Sequence, residues 1–246
     1  MIRISDKRIF TLVCLNIAIY VFILILDFMK ASGGVSEEQG FACDLLKYSA
    51  IISCLLICIF ALSHERKNVA LIQLIVFCFT LGADFFLLFT DLFATGVLVF
   101  LGAHACALYR YKPKWLLPVG ISSAAIFITV FLVSQVILRG NIDLALVFAV
   151  CPAYAVLIIN VAISTFRAKQ PHQNELLSRI GMLLFIACDI NVLLFNALPE
   201  GNGFYTASIV LMWLFYLPAQ TLLALSATTL PLIKRESGKI VSSSNA

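Results

Sequence analysis

The chain has 246 residues, 62% of them hydrophobic and 12% charged, and a mean hydropathy of +1.03. A soluble domain carries roughly 45–50% apolar and about 25% charged residues, so this composition excludes a water-soluble fold and leaves a polytopic membrane protein with short loops. The formal charge of +4 is too small to mark a nucleic-acid partner, and none is expected.

A bilayer core takes about 20 apolar residues in a helix, and eight such runs follow one another. The first, 8–30, comes after Arg3, Lys7 and Arg8. Its length is about twice the 7–15 residues of a signal-peptide core, so it is read as a retained span. Beyond ASGGVSEEQGFA, the second run, 43–63, carries Asp44 and Lys47 near its start. SHERKN leads to the third, 69–89, which holds Asp84 in LGADFFLLF, and TDL leads to the fourth, 93–111, which holds His104. YKPK and RGNI bound the fifth, 114–137, and the sixth is 142–165. RAKQPHQNE precedes the seventh, 177–198, where FIACDINVLLF contains Asp189 and Asn191, with Asn196 just beyond. PEGNG precedes the eighth, 204–231, with Tyr216 and Gln220. The expected fold is all-α: a polytopic membrane bundle of eight transmembrane helices, one domain over 1–233, with a polar tail, 234–246, expected to be disordered.

The loops alternate in charge. Arg3, Lys7, Arg8, Arg66, Lys67, Arg110, Lys112, Lys114, Arg167, Lys169, Arg179, Lys234, Arg235 and Lys239 all fall on one side. Lys30 and Arg139 fall on the other, with Glu37, Glu38, Asp91, Asp143 and Glu200. The positive-inside rule then puts both termini in the cytoplasm. Short loops favour a bacterial plasma membrane. The eight cysteines are scattered through the spans without a C-x-x-C and read as small hydrophobes.

Asp84 and Asp189 are the first candidates for a working site. An Asp in hydrocarbon costs about 2.5–3.5 kcal/mol even on an insertion scale. With the topology above, Asp84, Asp189, His104, Tyr216, Gln220 and Asn191 share a band from the midplane to the outer third. A polar cavity opening outward or sideways would keep them from lipid. The plainer alternatives are interhelical hydrogen bonds for Asn191, Asn196, Tyr216 and Gln220, a bond from His104 to a backbone carbonyl, and a Lys47 that reaches to the interface. The two aspartates could also pair with Lys47 or His104 for the fold alone. Asp27, Asp44 and Asp91 lie near span ends and are expected to be solvated. Asp84 and Asp189 have similar surroundings about four spans apart, which fits a 4 + 4 internal repeat with one acid per half.

Two carboxyl groups facing one cavity titrate as a pair, which sets a general acid beside a general base. No covalent-nucleophile motif is present. Zinc needs three or four ligands, and His104 is the one histidine inside a span, His64 and His172 being in loops. No metal or cofactor is expected.

These marks resemble the YhhN-like family of lysoplasmalogenases. Asp84, Phe93, Gly96, Phe100, His104 and Tyr109 fit its first motif block. Gly181, Phe185, Asp189, Tyr216, Ala219, Gln220 and Ser226 fit the second, and Lys47 fits an early Lys-Pro. Ala83, Cys188 and Tyr48 depart from the family's Gly, Ser and Pro. The resemblance implies hydrolysis of the vinyl ether of a lysoplasmalogen, with lysophospholipid and water as substrates and the bilayer as surroundings. It implies Asp84 and Asp189 as the acid–base pair, Lys47 near the lipid phosphate, and His104, Tyr216 and Gln220 orienting water and the acids. A proton-coupled carrier and a non-catalytic lysolipid-binding protein are the rival classes.

Overall fold

The computed structural model describes residues 6–34, 36–63, 67–168, 174–199 and 201–228. Arg3, His64, Arg66, Lys169, His172, Glu200 and the tail from Lys234 lie outside them. Eight helices make up the rest: α1 (Lys7–Ala31), α2 (Glu37–Ala61), α3 (Lys67–Phe89), α4 (Phe93–Tyr111), α5 (Pro113–Ile137), α6 (Ile142–Arg167), α7 (Asn174–Ala197) and α8 (Gly203–Leu225). All eight are long and apolar enough to cross a membrane, and no strand occurs among the described residues. The chain is a multi-pass, all-helical membrane protein.

Two boundaries differ from the hydropathy reading, for local reasons. α2 begins at Glu37 rather than 43 because Ser36 and Gln39 form a capping box, with Gln39 Oε1 accepting from the Ser36 amide at 3.0 Å. α8 ends at Leu225 rather than 231. Its last carbonyls turn into tight bonds over Ser226–Thr228, and the Arg110 guanidinium donates to the Ser226 carbonyl at 3.2 Å. Between α4 and α5 the break is Lys112 alone, followed by Pro113 in the first turn.

Helices α2, α3, α4, α6, α7 and α8 form a closed ring of packed neighbours. α1 packs against α2 and α8, and α5 against α4 and α6. Both carry rows of exposed apolar side chains, such as Phe22 and Phe28 on α1 and Leu117, Leu132 and Val136 on α5. In a bilayer such faces meet lipid at no cost, so helix association must come from close packing and polar contacts. Gly181 supplies one close approach: a Cβ there would lie 3.0 Å from the Leu223 side chain and 3.2 Å from the Ala219 carbonyl. Gly96 does the same between α4 and α3, where a Cβ would fall 2.7 Å from Leu87.

Polar seams complete the packing. Pro218 has no N–H for the carbonyl of Leu214, four residues earlier in α8. The Tyr20 hydroxyl of α1 donates to that carbonyl at 3.0 Å. Ser123 of α5 donates to Ala153 O of α6 at 2.8 Å, and Asn16 of α1 reaches Cys54 of α2 and Thr221 of α8.

Candidate functional site

Asp84 and Asp189 are each held by a tyrosine from another helix. Asp84, buried on α3, accepts from the Tyr216 hydroxyl of α8, which lies 2.8 Å from Oδ1 and 2.7 Å from Oδ2. Asp189 on α7 accepts on Oδ2 from the Tyr154 hydroxyl of α6 at 2.8 Å. The two pairs belong to one site. The Phe185 ring, one turn before Asp189, packs 5.8 Å from Tyr216 and 5.3 Å from His104. His104 in turn lies 4.9 Å from Tyr154. The Cys188 thiol is within electrostatic reach of both carboxyl groups. Five helices of the ring therefore contribute to one aromatic-walled pair of acids. Neither acid pairs with Lys47 or His104.

His104 bonds through Nδ1 to the Phe100 carbonyl at 3.0 Å. A carbonyl can only accept, so Nδ1 is the donor and Nε2 is the ring's remaining polar atom. Gln220 is buried beside the Tyr216 hydroxyl, and its Nε2 makes no hydrogen bond of good geometry among the described residues.

Lys47 is set apart from the acid pair. Its ammonium lies 2.8 Å from Asp27 Oδ1 and 3.6 Å from Asp44, and it is buried rather than extended to an interface. The expectation that Asp27 is solvated is corrected here: it is fully buried, because α1 packs on α2 at this level and Lys47 supplies the counter-charge. Lys47 Nζ also sits 5.1 Å from the Trp213 ring, and Trp213 packs 5.1 Å from Tyr216. A ring thus separates Lys47 from the phenol that holds Asp84. Asn191 and Asn196 are not interhelical bonders in this structure. Each donates back to its own helix, to Ala187 O at 2.7 Å and Val192 O at 2.8 Å.

A cavity of about 40 Å³ lies beside the site, with Gln73, Thr80, His104, Tyr111, Thr165 and Gln220 as its polar wall; His104, Phe185 and Gln220, and not the acids themselves, join it to the acid pair. It does not run toward the acidic loops, as the sequence led us to expect. From His104 it follows α4 to Tyr111, that helix's last residue, toward the end that carries Arg110, Lys112 and Arg167. The depth estimate failed because Gln220 lies much nearer the end of α8 than mid-span, so it continues the cavity in that direction. At this end Arg110 donates to Gln73 Oε1 and, at 3.0 Å, to Ser226 Oγ, tying α3, α4 and α8 together.

Tyr154, Asp27 and Trp213 were missed from the sequence. For Tyr154 a signal existed: like Tyr216, it is a phenol deep in an apolar run, just after Pro152. No curated protein and no solved structure matches the chain. The family model described as the YhhN family matches residues 43–227, from α2 through the turn after α8 and including both aspartates and both tyrosines, and the chain belongs to that family.

Proposed function

We propose that this protein is a lysoplasmalogenase-like hydrolase that cleaves the vinyl ether of lysoplasmenyl-ethanolamine or -choline. Membership of the YhhN family suggests that class of activity. The observation that carries it is the pair of tyrosine-held carboxyl groups in one buried site. A vinyl ether needs a proton donor and a base for water, and no covalent nucleophile.

The hydrogen bonds support a division of the two roles. The Tyr216 hydroxyl straddles both oxygens of Asp84, which suits an ionised carboxylate. Tyr154 engages only Oδ2 of Asp189, leaving Oδ1 to carry a proton. Asp189 would donate that proton to the alkene carbon remote from oxygen, and the π pair becomes the new C–H bond. The other carbon becomes an oxocarbenium centre stabilised by ionised Asp84. Asp84 then takes a proton from water as the water oxygen bonds to that carbon, giving a hemiacetal. The hemiacetal hydroxyl returns a proton to Asp189, the bond to the glycerol oxygen breaks, and that oxygen takes the proton from Asp84. The products are a fatty aldehyde and glycerophospho-ethanolamine or -choline, and both acids are restored.

Lys47 is assigned a positioning role, through Trp213, on the Tyr216–Asp84 pair. The proposal retains the 4 + 4 plan with both termini cytoplasmic. The helix neighbours support the repeat: α1 stands to α2 and α8 as α5 stands to α6 and α4.

The test offers purified protein vinyl-ether, alkyl-ether and ester lysolipids and measures free aldehyde and free fatty acid. Aldehyde from the vinyl ether alone is expected. Fatty acid from the ester alone would make the protein a lysophospholipase and overturn the proposal.

A further inference from the structure

We propose that the cavity is a water passage, which supplies the hydrolytic water from the basic end of the bundle by a route the lipid does not use. This rests on the hydrolase reading above and adds the path of the second substrate.

Size is the first argument. A cavity of about 40 Å³ cannot hold a lysolipid headgroup. At 10–15 Å³ per water it has room for about three waters in file. Chemistry is the second. Gln220 and Tyr111 line this cavity, and the buried Gln220 Nε2 and Tyr111 Oη make no hydrogen bond of good geometry among the described residues. Leaving a buried polar group unpaired is costly, and water is the ligand of matching size that bonds to either group. Thr165 Oγ1 spends its proton on Val161 O at 2.8 Å, so its lone pairs can accept from water. The Thr80 hydroxyl and the His104 ring continue the polar wall. A stable buried water needs two or more polar partners, and these side chains are the ones the wall offers.

Direction is the third argument. Seven residues of α4 separate Tyr111 from His104, a rise of about 10 Å. The passage therefore runs from the helix end to His104 and Gln220, the residues that border the acid pair. At its inner end Gln220 lies beside the Tyr216 hydroxyl, which is bonded to Asp84. Water held by Gln220 is thus delivered on the side of the proposed base. The rest of the wall is apolar, Val76, Ala107, Val161, Met182 and Leu223 among it, and keeps the file narrow.

The test is radiolytic hydroxyl-radical footprinting of the detergent-solubilised protein in oxygen-18 water, which marks side chains touching bound water. Met182 and Tyr111 are expected to gain label readily although Met182 is buried, while fully buried Phe77, outside the cavity, gains none. Ala107→Phe would plug the passage from the α4 wall. It should lower both Met182 labelling and aldehyde release by about tenfold or more while affinity for a non-cleavable alkyl-ether lysolipid is unchanged. If that variant does not assemble, Tyr111→Phe with Thr165→Val removes two water partners at nearly constant volume and should reduce both readouts about threefold or more. A parent protein in which Met182 is as inert as Phe77 overturns the passage, whatever its activity. Labelled Met182 with no aldehyde from any vinyl ether overturns the hydrolase reading and with it the supply role, leaving a water site without that chemistry. A plugged variant with full aldehyde release overturns the passage alone.

Discussion

A phenol on each carboxyl group is the residue-scale device of this site. In a buried setting a hydrogen bond to a charged group contributes about 1.5–3 kcal/mol, and 1.4 kcal/mol is a factor of ten in rate. Tyr216→Phe is therefore expected to lower kcat for aldehyde release by about ten- to a hundredfold with lysolipid affinity retained. Tyr154→Phe should also lower kcat, because its hydroxyl holds the Asp189 carboxylate that forms as the proton leaves. Steady-state kinetics beside binding of the alkyl-ether analogue separate the two effects, and an unchanged kcat in both variants would remove the phenols from the mechanism. Asp84→Asn and Asp189→Asn keep the side-chain shape but lose the proton chemistry, so each should abolish turnover in a protein that still purifies as a folded species. Full activity in Asp189→Asn would sink its assignment. The acids were legible in the sequence because an Asp inside hydrocarbon is expensive and needs a reason. Tyr154 was not legible in the same way, since a tyrosine inside a span is cheap and its meaning depends on which helix faces it.

At the scale of elements, α1 and α8 show how a backbone defect in one helix is met by a side chain of another. Pro218 leaves the Leu214 carbonyl without its helical donor, and Tyr20 supplies one. Tyr20→Phe should destabilise the protein by about 1–2 kcal/mol. Pro218→Ala restores the helix's own N–H, so the same Tyr20→Phe change should then cost close to nothing. A double-mutant cycle by thermal unfolding in detergent measures this coupling, and equal costs in the two backgrounds would refute it. The Asp27–Lys47 pair between α1 and α2 behaves differently, because both charges are buried. Lys47→Met leaves the buried Asp27 unpaired and should cost about 3–5 kcal/mol, while Asp27→Asn should cost less, because Asp44 at 3.6 Å still faces the ammonium. Asp27→Leu with Lys47→Met should recover most of that stability. If Lys47 also positions Tyr216 through Trp213, the recovered protein should still turn over slowly. Asp27 lies before the matched residues 43–227, so α1 adds a counter-charge to Lys47 from outside that region. From sequence alone Asp27 looks like a solvated span end, and only the packing of α1 on α2 changes that.

For the molecule as a whole, the number and order of spans were legible because length and hydropathy are set by the bilayer itself. The start of α2 was not, since its capping box is made by polar residues that hydropathy scores as loop, and the end of α8 was not, since hydropathy carries the span through the residues that form its tight terminal turn. The direction of the cavity was also hidden, because it depends on which faces of α3, α4, α6, α7 and α8 meet. That direction gives the charge pattern a consequence. Arg8, Lys67, Arg110, Lys112, Lys114, Arg167 and Arg179 are carried at the end of the bundle toward which the cavity runs, and Lys30 and Arg139 at the other. If the basic end faces the cytoplasm, as positive charge dictates in short loops, water enters from the cytoplasm while the lipid comes from the bilayer. Fusions of alkaline phosphatase and of a fluorescent protein after Gly33, Lys112 and Gly140 report the side directly. Phosphatase activity is expected after Gly33 and Gly140, and fluorescence after Lys112. The reverse pattern would overturn the cytoplasmic termini and turn the cavity mouth to the outer solution. The acid pair and its tyrosines would stand in either case, because their geometry depends on how the helices pack and not on which side of the membrane they face.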